Sequence, residues 1–214
     1  MILRALASVL VGYTLGAIPT GVIVAKVCGG ADVRQVGSRH TGGTNVARAV
    51  GSAWAGIATM VIDLALGGAA ALLGQRLCSA SWGASCAGVA AVIGHDWSLY
   101  IGLGGGIGLS SLFGMLLWEA PLATAAAGGG FVGLWLALRK LLHHEARSTV
   151  IASLAVPLLL TALGQPWPVI ASGSLGTLVV IAKSSGDWHR TYKASEGVLH
   201  QLGLQDKTGP ATST

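Results

Sequence analysis

Long apolar segments with almost no charged residues are the feature that most restricts the fold of this chain. A helix needs roughly 20 apolar residues to cross the hydrocarbon of a bilayer. Seven windows approach that requirement: 2–25, 53–74, 79–100, 106–122, 124–142, 149–164 and 167–183. Charged residues make up only 10% of the chain, whereas a soluble domain carries about 25%. The sequence therefore predicts an all-α, polytopic membrane helical bundle with about seven transmembrane helices. The 33 glycines fit helices that pack closely in lipid.

Basic residues are distributed unevenly between the two predicted sides of this bundle. If the N-terminus lies outside, eleven of the 13 Lys and Arg residues fall on the inner side, and only Arg4 and Arg76 fall outside. Cytoplasmic loops carry such an excess of basic residues. We therefore predict an N-out/C-in topology. In this arrangement residues 1–185 form the membrane domain and residues 186–214 form a cytoplasmic C-terminal tail.

A polar, glycine-rich stretch separates the first two predicted spans. VGSRHTGGTNVARAVG (36–51) combines flexible backbone with hydroxyl donors, and a helix is predicted to begin near Thr44. The amides at such a helix N-terminus attract anions, and Arg48 follows on the same helical face as Thr44. An arginine binds phosphate through two parallel hydrogen bonds. The residue types indicate an anion-binding loop, and the competing hypothesis is a solvated linker whose arginines only set the topology.

Three further polar segments are predicted to lie on the same side of the membrane. They are GLGGGIGLSS (102–111), RKLLHHEARSTVIAS (139–153) and the segment from Lys183 onward. GLGGGIG matches neither the Walker pattern nor the dinucleotide fingerprint, so it is either a ligand-binding turn or a segment that provides a helix break or close packing. His95 is either a proton carrier or a hydrogen-bonded structural residue, and Asp63 is a carboxylate within a span. His143, His144 and Glu145 lack the spacing of a helical metal pair, so no metal and no cofactor are predicted.

The order of these segments resembles that of the bacterial acyl-phosphate:glycerol-3-phosphate acyltransferase family (PlsY). DVRQVGSRHTGGTNVARAVG (32–51) is similar to the family's first loop, D-[LI]-R-x-x-G-S-G-N-x-G-A-T-N-x-x-R-x-x-G. Asp63 matches the acid of a D-x-x-K-G motif. VIGHDWSLYIGLGGGIG (92–108) resembles G-H-x-[YF]-P-x-[FW]-x-x-[FL]-x-G-G-K-G, and Ser153 resembles the serine of the third motif. The chain is identified on these residues as a divergent member of the family.

The resemblance implies a multi-pass protein of the bacterial inner (plasma) membrane whose active site faces the cytoplasm. The family moves a fatty acyl group from acyl-phosphate to glycerol-3-phosphate in phospholipid synthesis, so the implied partners are these two substrates and membrane lipids, not nucleic acid. The implied catalytic residues are Ser38, Arg48, Ser153 and His95. The implied substrate-binding residues are Gly37, Thr44, Asn45, Asp63, Gly105, Gly106, Gly108 and Lys183.

Several cations of the family pattern are missing from this chain. Lysine or another basic residue of the family falls at Leu66, Gly104 and Ile107, while Arg39 replaces the glycine of G-S-G. A buried cation that faces a transferring phosphate contributes about 3 kcal/mol, so these losses lower the expected rate. Two alternatives follow: a weakened or inactive relative that binds a phosphorylated ligand or lipid as a partner or regulator, and a small transporter that uses Asp63.

Overall fold

The computed structural model of the protein describes residues 2–79 and 82–190, and these form an all-helical bundle. The described residues contain ten α-helices and one 3-10 turn, Leu99–Ile101. The α-helices are α1 (Ile2–Gly16), α2 (Thr20–Val27), α3 (Gly43–Val50), α4 (Ala53–Leu77), α5 (Gly83–Asp96), α6 (Leu109–Glu119), α7 (Pro121–Leu142), α8 (Glu145–Ser153), α9 (Ala155–Ala162) and α10 (Trp167–Ser185). The predicted fold class is confirmed.

Within residues 2–79 and 82–190, five helical segments are long and apolar enough to cross a membrane: Ile2–Val27, Ala53–Leu77, Pro121–Leu142, Glu145–Ala162 and Trp167–Ser185. Two of the seven windows instead contain the shorter helices α5 and α6. At 1.5 Å per residue these helices extend about 21 Å and about 17 Å, against a hydrocarbon thickness of about 30 Å. The number of crossings and the N-out orientation stay predictions.

Proline and glycine positions account for most of the helix boundaries. α6 ends at Glu119 and α7 begins at Pro121, and the segment QPWP (165–168) separates α9 from α10. The first window is not one continuous helix, because Pro19 separates α1 from α2 and cannot donate to the helical ladder. The sixth window begins earlier than predicted, because residues from Glu145 onward already form α8.

Helix α5 lies at the centre of the bundle, where it packs against α1, α4, α6 and α10. Small residues permit this close approach. A Cβ atom added to Gly16 would lie 1.9 Å from the carbonyl oxygen of Ala91, and one added to Gly12 would lie 2.1 Å from that of Ala87. The backbones of α1 and α5 therefore contact each other directly, as expected for helices that associate in lipid.

We expect Gly16→Ala to destabilise the bundle, because the added methyl group must push α1 away from the backbone of α5. Overpacking of this kind costs about 1–3 kcal/mol. The measurement is the thermal unfolding midpoint in detergent. Gly133→Ala on α7 is the matched control, because nothing lies within 4 Å of its added Cβ. A Gly16→Ala protein as stable as Gly133→Ala would contradict the direct backbone contact.

A second, smaller apolar cluster lies beneath the polar stretch that follows α2. Val33 and Val46 are fully buried there together with Ala25 and Ala55. The amide of Ala31 donates to the carbonyl of Ala49 at 3.0 Å, which ties the start of this stretch to the end of α3. The stretch is therefore folded onto the bundle and is not a solvated linker.

Candidate active site

Asn45, in the first turn of α3, organises the loop that precedes this helix. Its side-chain nitrogen lies 2.8–3.1 Å from the carbonyl oxygens of Val33, Val36 and His40, and its oxygen accepts a hydrogen bond from the amide of Ser38 at 3.2 Å. The side chain is buried, with 2% exposed. Asn45 thus uses its polar atoms to shape the loop into a compact turn.

Two residues of this turn adopt a positive φ angle, and only the first of them is glycine. Gly37 has φ +51°, and a Cβ atom there would lie 2.3 Å from the side-chain oxygen of Asn45. Arg39 also adopts a left-handed conformation, with φ 62°. The family pattern has glycine at the position of Arg39. The backbone at Arg39 has the left-handed conformation that glycine favours, although the residue differs.

Segments far apart in the sequence meet around this loop. The amide of Thr41 donates to the carbonyl of Gly105 at 3.1 Å, which joins the loop to the glycine-rich turn before α6. After α10, Arg190 donates to the carbonyl oxygens of Ser38 and Gly37 at 2.8 Å and 2.6 Å. Of the predicted tail, Arg190 therefore contacts the loop, and residues 191–214 lie outside the described residues.

His40 and Asp187 form a second contact between the loop and the segment after α10. The Nε2 atom of His40 lies 2.7 Å from a carboxylate oxygen of Asp187. Burial opposes ionisation of this carboxyl, but the hydrogen bond with His40 and the charges of His40 and Arg190 outweigh it and lower the pKa of Asp187. An ionised Asp187 therefore helps to hold the two segments together.

A cavity of about 340 Å³ opens beside this loop and contains many of the predicted site residues. The predicted residues that line it are Ser38, Thr44, Asn45, Arg48, Asp63, His95 and Gly108. They come from the first loop, α3, α4, the end of α5 and the start of α6. Ile107, at the position of a family lysine, also lines the cavity. The four polar segments of the sequence thus converge on one side of the bundle.

Five other predicted site residues are not among those that line the cavity: Gly37, Gly105, Gly106, Ser153 and Lys183. Gly105 and Gly106 pack against His95, since added Cβ atoms would lie 2.2 Å from its carbonyl oxygen and 2.0 Å from its Nε2 atom. This is the close packing that the sequence left as one of two readings of GLGGGIG. The buried Ser153 donates to the carbonyl of Thr149 at 2.6 Å, and the Lys183 ammonium donates to the carbonyl of Asp96 and lies 5.1 Å from the Trp97 ring centre.

Asp63, His95 and Thr20 form a buried polar group at the base of the cavity. The Thr20 hydroxyl donates to a carboxylate oxygen of Asp63. The Nδ1 atom of His95 lies 3.7 Å from the same oxygen, which is within ion-pairing distance when the imidazole is protonated. Asp63 and His95 are 2% and 5% exposed. The Asp63 carboxyl group therefore lies beside the imidazole of His95 in a poorly hydrated place.

Two arginines converge on one carboxylate beside the cavity; Arg48 and Glu145 line the cavity, and Arg139 is not among its lining residues. A terminal nitrogen of Arg48 lies 2.9 Å from an oxygen of Glu145, and a terminal nitrogen of Arg139 lies 3.1 Å from the same oxygen. Sequence reasoning did not assign Glu145 or Arg139 to the site. Their charge within a largely apolar chain was the available signal in the sequence. Their pairing could not be predicted, because it joins the end of α7 and the start of α8 to α3.

The comparison with protein families decides the affiliation. The sequence model described as "Glycerol-3-phosphate acyltransferase" matches residues 6–194. The chain belongs to this family. It is 40% identical over 206 residues to the glycerol-3-phosphate acyltransferase of Synechococcus sp. (strain JA-3-3Ab), with 95% of this chain and 97% of the relative covered. It is 38% identical to that of Methylorubrum populi, with 92% and 94% covered.

A solved structure of the family has the same fold. The crystal structure of PlsY (YgiH), an integral membrane glycerol 3-phosphate acyltransferase in its glycerol 3-phosphate form, aligns with a TM-score of 0.74 and 25% identity, covering 96% of each chain. The family resemblance predicted from the loops is confirmed. This chain is therefore a multi-pass bacterial membrane protein and a membrane acyltransferase of phospholipid synthesis. The comparisons lend no support to the inactive partner or regulator.

Proposed function

We propose that this acyltransferase moves a fatty acyl group from an acyl phosphate to the primary hydroxyl of glycerol-3-phosphate. The observation that carries the proposal is the position of Arg48, a guanidinium with 6% of its side chain exposed, in the wall of the cavity. A buried cation is costly unless an anion accompanies it. Glu145 supplies one such anion, but Arg139 shares it. The phosphate that both substrates carry supplies a second one.

The N-terminal turn of α3 adds backbone donors to the same wall. Gly43 and Thr44 line the cavity at this turn, and no side chain caps the helix at Gly42. Uncapped amides and the positive end of the helix dipole attract phosphate. Arg48 therefore acts together with the α3 amides and the Ser38 hydroxyl to hold the phosphates and to align the acceptor.

The reaction needs no covalent intermediate with the protein, because an acyl phosphate is already activated. The acceptor hydroxyl oxygen forms a bond to the acyl carbon, the bond between that carbon and the phosphate oxygen breaks, and inorganic phosphate leaves. His95 takes the hydroxyl proton, and Asp63 stabilises the resulting charge. The rate then depends on alignment of the two substrates and on stabilisation of phosphate charge.

A second cavity, of about 380 Å³, is suited to the acyl chain. It shares Gly43, Thr44, Arg48 and Met60 with the first cavity and continues between α3 and α4 along Ile57. The side chains of Ile57 and Met60 are 45% and 39% exposed at this surface. Because this surface borders lipid in a membrane-embedded helix, an acyl chain can enter from the bilayer while its phosphate reaches Arg48.

The proposed site faces the cytoplasm. The support is the charge distribution of the sequence, because the predicted seven-span topology puts eleven of 13 basic residues on the side of the loops that form the cavity. Glycerol-3-phosphate is water-soluble, so its binding site must open to water, and acyl phosphate reaches the site through the bilayer.

We expect the purified protein in phospholipid bilayers to form lysophosphatidate and inorganic phosphate from radiolabelled acyl phosphate and glycerol-3-phosphate. Arg48→Gln provides the matched low-activity control, and acyl-coenzyme A replaces acyl phosphate in a parallel reaction. Product from acyl-coenzyme A alone would show that the proposed donor is wrong. No acylated product from either donor would contradict the proposed reaction.

A further inference from the structure

The carboxylate of Glu145 is shared by two guanidinium groups that come from different helices. Arg48 lies on α3 and Arg139 near the end of α7, while Glu145 begins α8. Both arginines contact the same carboxylate oxygen, at 2.9 Å and 3.1 Å. Arg139 also lies over the ring of Trp135, 5.9 Å from the ring centre, and both Trp135 and Glu145 line the cavity.

The charges of this group do not balance. Two guanidinium groups always carry a charge of +2 together, and Glu145 supplies −1. The exposed fractions of the three side chains are 6% for Arg48, 11% for Arg139 and 16% for Glu145. An uncompensated positive charge in such a poorly hydrated place is unfavourable, and a second anion would neutralise it.

Unpaired hydrogen-bond donors also indicate that this group of side chains can bind a second anion. The Nε atoms of Arg48 and Arg139 are buried, and neither has a hydrogen-bond partner among the described residues. A buried donor without a partner costs free energy that a correctly placed acceptor recovers. Phosphate has several acceptor oxygens and fits the fork of donors that each guanidinium presents.

We infer that Arg139 and Arg48 form a two-arginine phosphate clamp and that Glu145 occupies the clamp until phosphate arrives. The clamp rests on the proposed function, since it names the groups that bind a substrate phosphate. Glu145 keeps the two guanidinium groups together in the empty site. A phosphate dianion competes better than one carboxylate, so it takes over the donors that Glu145 shares and uses the free Nε atoms. Arg139 thereby supplies a second cation to the phosphate site. The basic residues that the family pattern has at the positions of Leu66, Gly104 and Ile107 are absent from this chain.

The first test removes the charge of Arg139. Arg139→Gln is expected to weaken the binding of inorganic phosphate about tenfold or more, because it deletes charge-assisted hydrogen bonds. Binding is measured as thermal stabilisation of the purified protein by increasing phosphate concentrations, which does not require turnover. Lys140→Gln is the matched control, since it removes the same charge from an exposed neighbour. Equal phosphate binding by Arg139→Gln and Lys140→Gln would overturn the clamp.

The second test removes the charge of the placeholder. Glu145→Gln keeps the size of the side chain and an oxygen for Arg48, and it is expected to tighten phosphate binding about threefold to tenfold because the competing charge is gone. Weaker binding, by as much as in Arg139→Gln, would show that Glu145 holds the arginines permanently and would overturn its role as placeholder.

A conservative variant keeps the inference testable if Arg139→Gln does not fold. Arg139→Lys retains the charge beside Glu145 but loses the planar fork, so its phosphate binding is expected to be about threefold to tenfold weaker than in the wild type. Binding as tight as that of the wild type would overturn the clamp geometry.

Steady-state assays identify which substrate phosphate the clamp holds. An increased KM for glycerol-3-phosphate in Arg139→Gln assigns the clamp to the acceptor, and an increased KM for acyl phosphate assigns it to the donor. Normal values for both would contradict the clamp while leaving the proposed reaction intact. Phosphate stabilisation that depends on Arg139 without any acyl transfer would instead contradict the proposed reaction and retain the clamp.

Discussion

Replacement of Arg48 by glutamine is expected to lower kcat/KM for acyl transfer by about 100- to 1,000-fold. Arg48 is the buried cation that both cavities share, beside the uncapped turn of α3. Its loss removes charge stabilisation of the phosphate and the two-point alignment of the substrate. The measurement is the initial rate of lysophosphatidate formation at several concentrations of each substrate.

The fold is expected to survive this substitution, because Glu145 keeps Arg139 as its partner. The thermal unfolding midpoint serves as the check. Arg76→Gln is the matched control: it removes an exposed arginine from the end of α4, about 20 Å along the helix from Asp63. Arg48→Lys is expected to retain intermediate activity, because it keeps the charge and loses the fork. A fully active Arg48→Gln protein would refute the proposed anion site.

Replacement of His95 by glutamine is expected to lower kcat by about 100- to 10,000-fold while KM for both substrates changes little. Loss of a general base typically has this effect. His95 lines the cavity and lies beside the carboxylate of Asp63, but it does not belong to the phosphate-binding wall. A proton carrier acts in the chemical step, so the turnover number and not the affinity should respond.

A double substitution separates proton transfer from a structural role of His95. If Asp63 acts only by stabilising a proton on His95, Asp63→Asn should reduce kcat in the wild type and have no further effect in His95→Gln. Independent, multiplicative losses would show that the two residues do not act together. His143→Asn is the control, because His143 is exposed and asparagine tolerates its left-handed backbone.

Much of the fold was predictable because it depends on local interactions. Apolar length identified the membrane class, and Pro121 and the QPWP segment marked helix ends through steric effects of their own backbone. The start of α3 was predicted within one residue of its observed position at Gly43. The lengths of α5 and α6 were overestimated, because apolar composition extends through turns that only surrounding helices define.

The candidate site was predicted in part, since polar residues in an apolar chain are conspicuous. Three of the predicted site residues that line the cavity are Arg48, Asp63 and His95. The side chains of Ser153 and Lys183 instead donate to backbone carbonyls, and neither residue lines the cavity. Asn45, which was predicted to bind substrate, lines the cavity and also uses its amide to shape the loop. Hydrogen-bond partners of this kind depend on side-chain direction, which residue spacing does not specify.

The amino-acid sequence by itself determined that this protein is a helical membrane protein whose polar first loop carries the family motif, because hydropathy, turn residues and motif spacing act over short distances along the chain. Only the tertiary structure decided that Arg139 and Glu145 join Arg48, which lies 97 residues before Glu145. That group forms because the fold brings Arg48 on α3 within reach of the junction between α7 and α8. This placement is the joint result of contacts between close-packed helices distributed over the whole bundle.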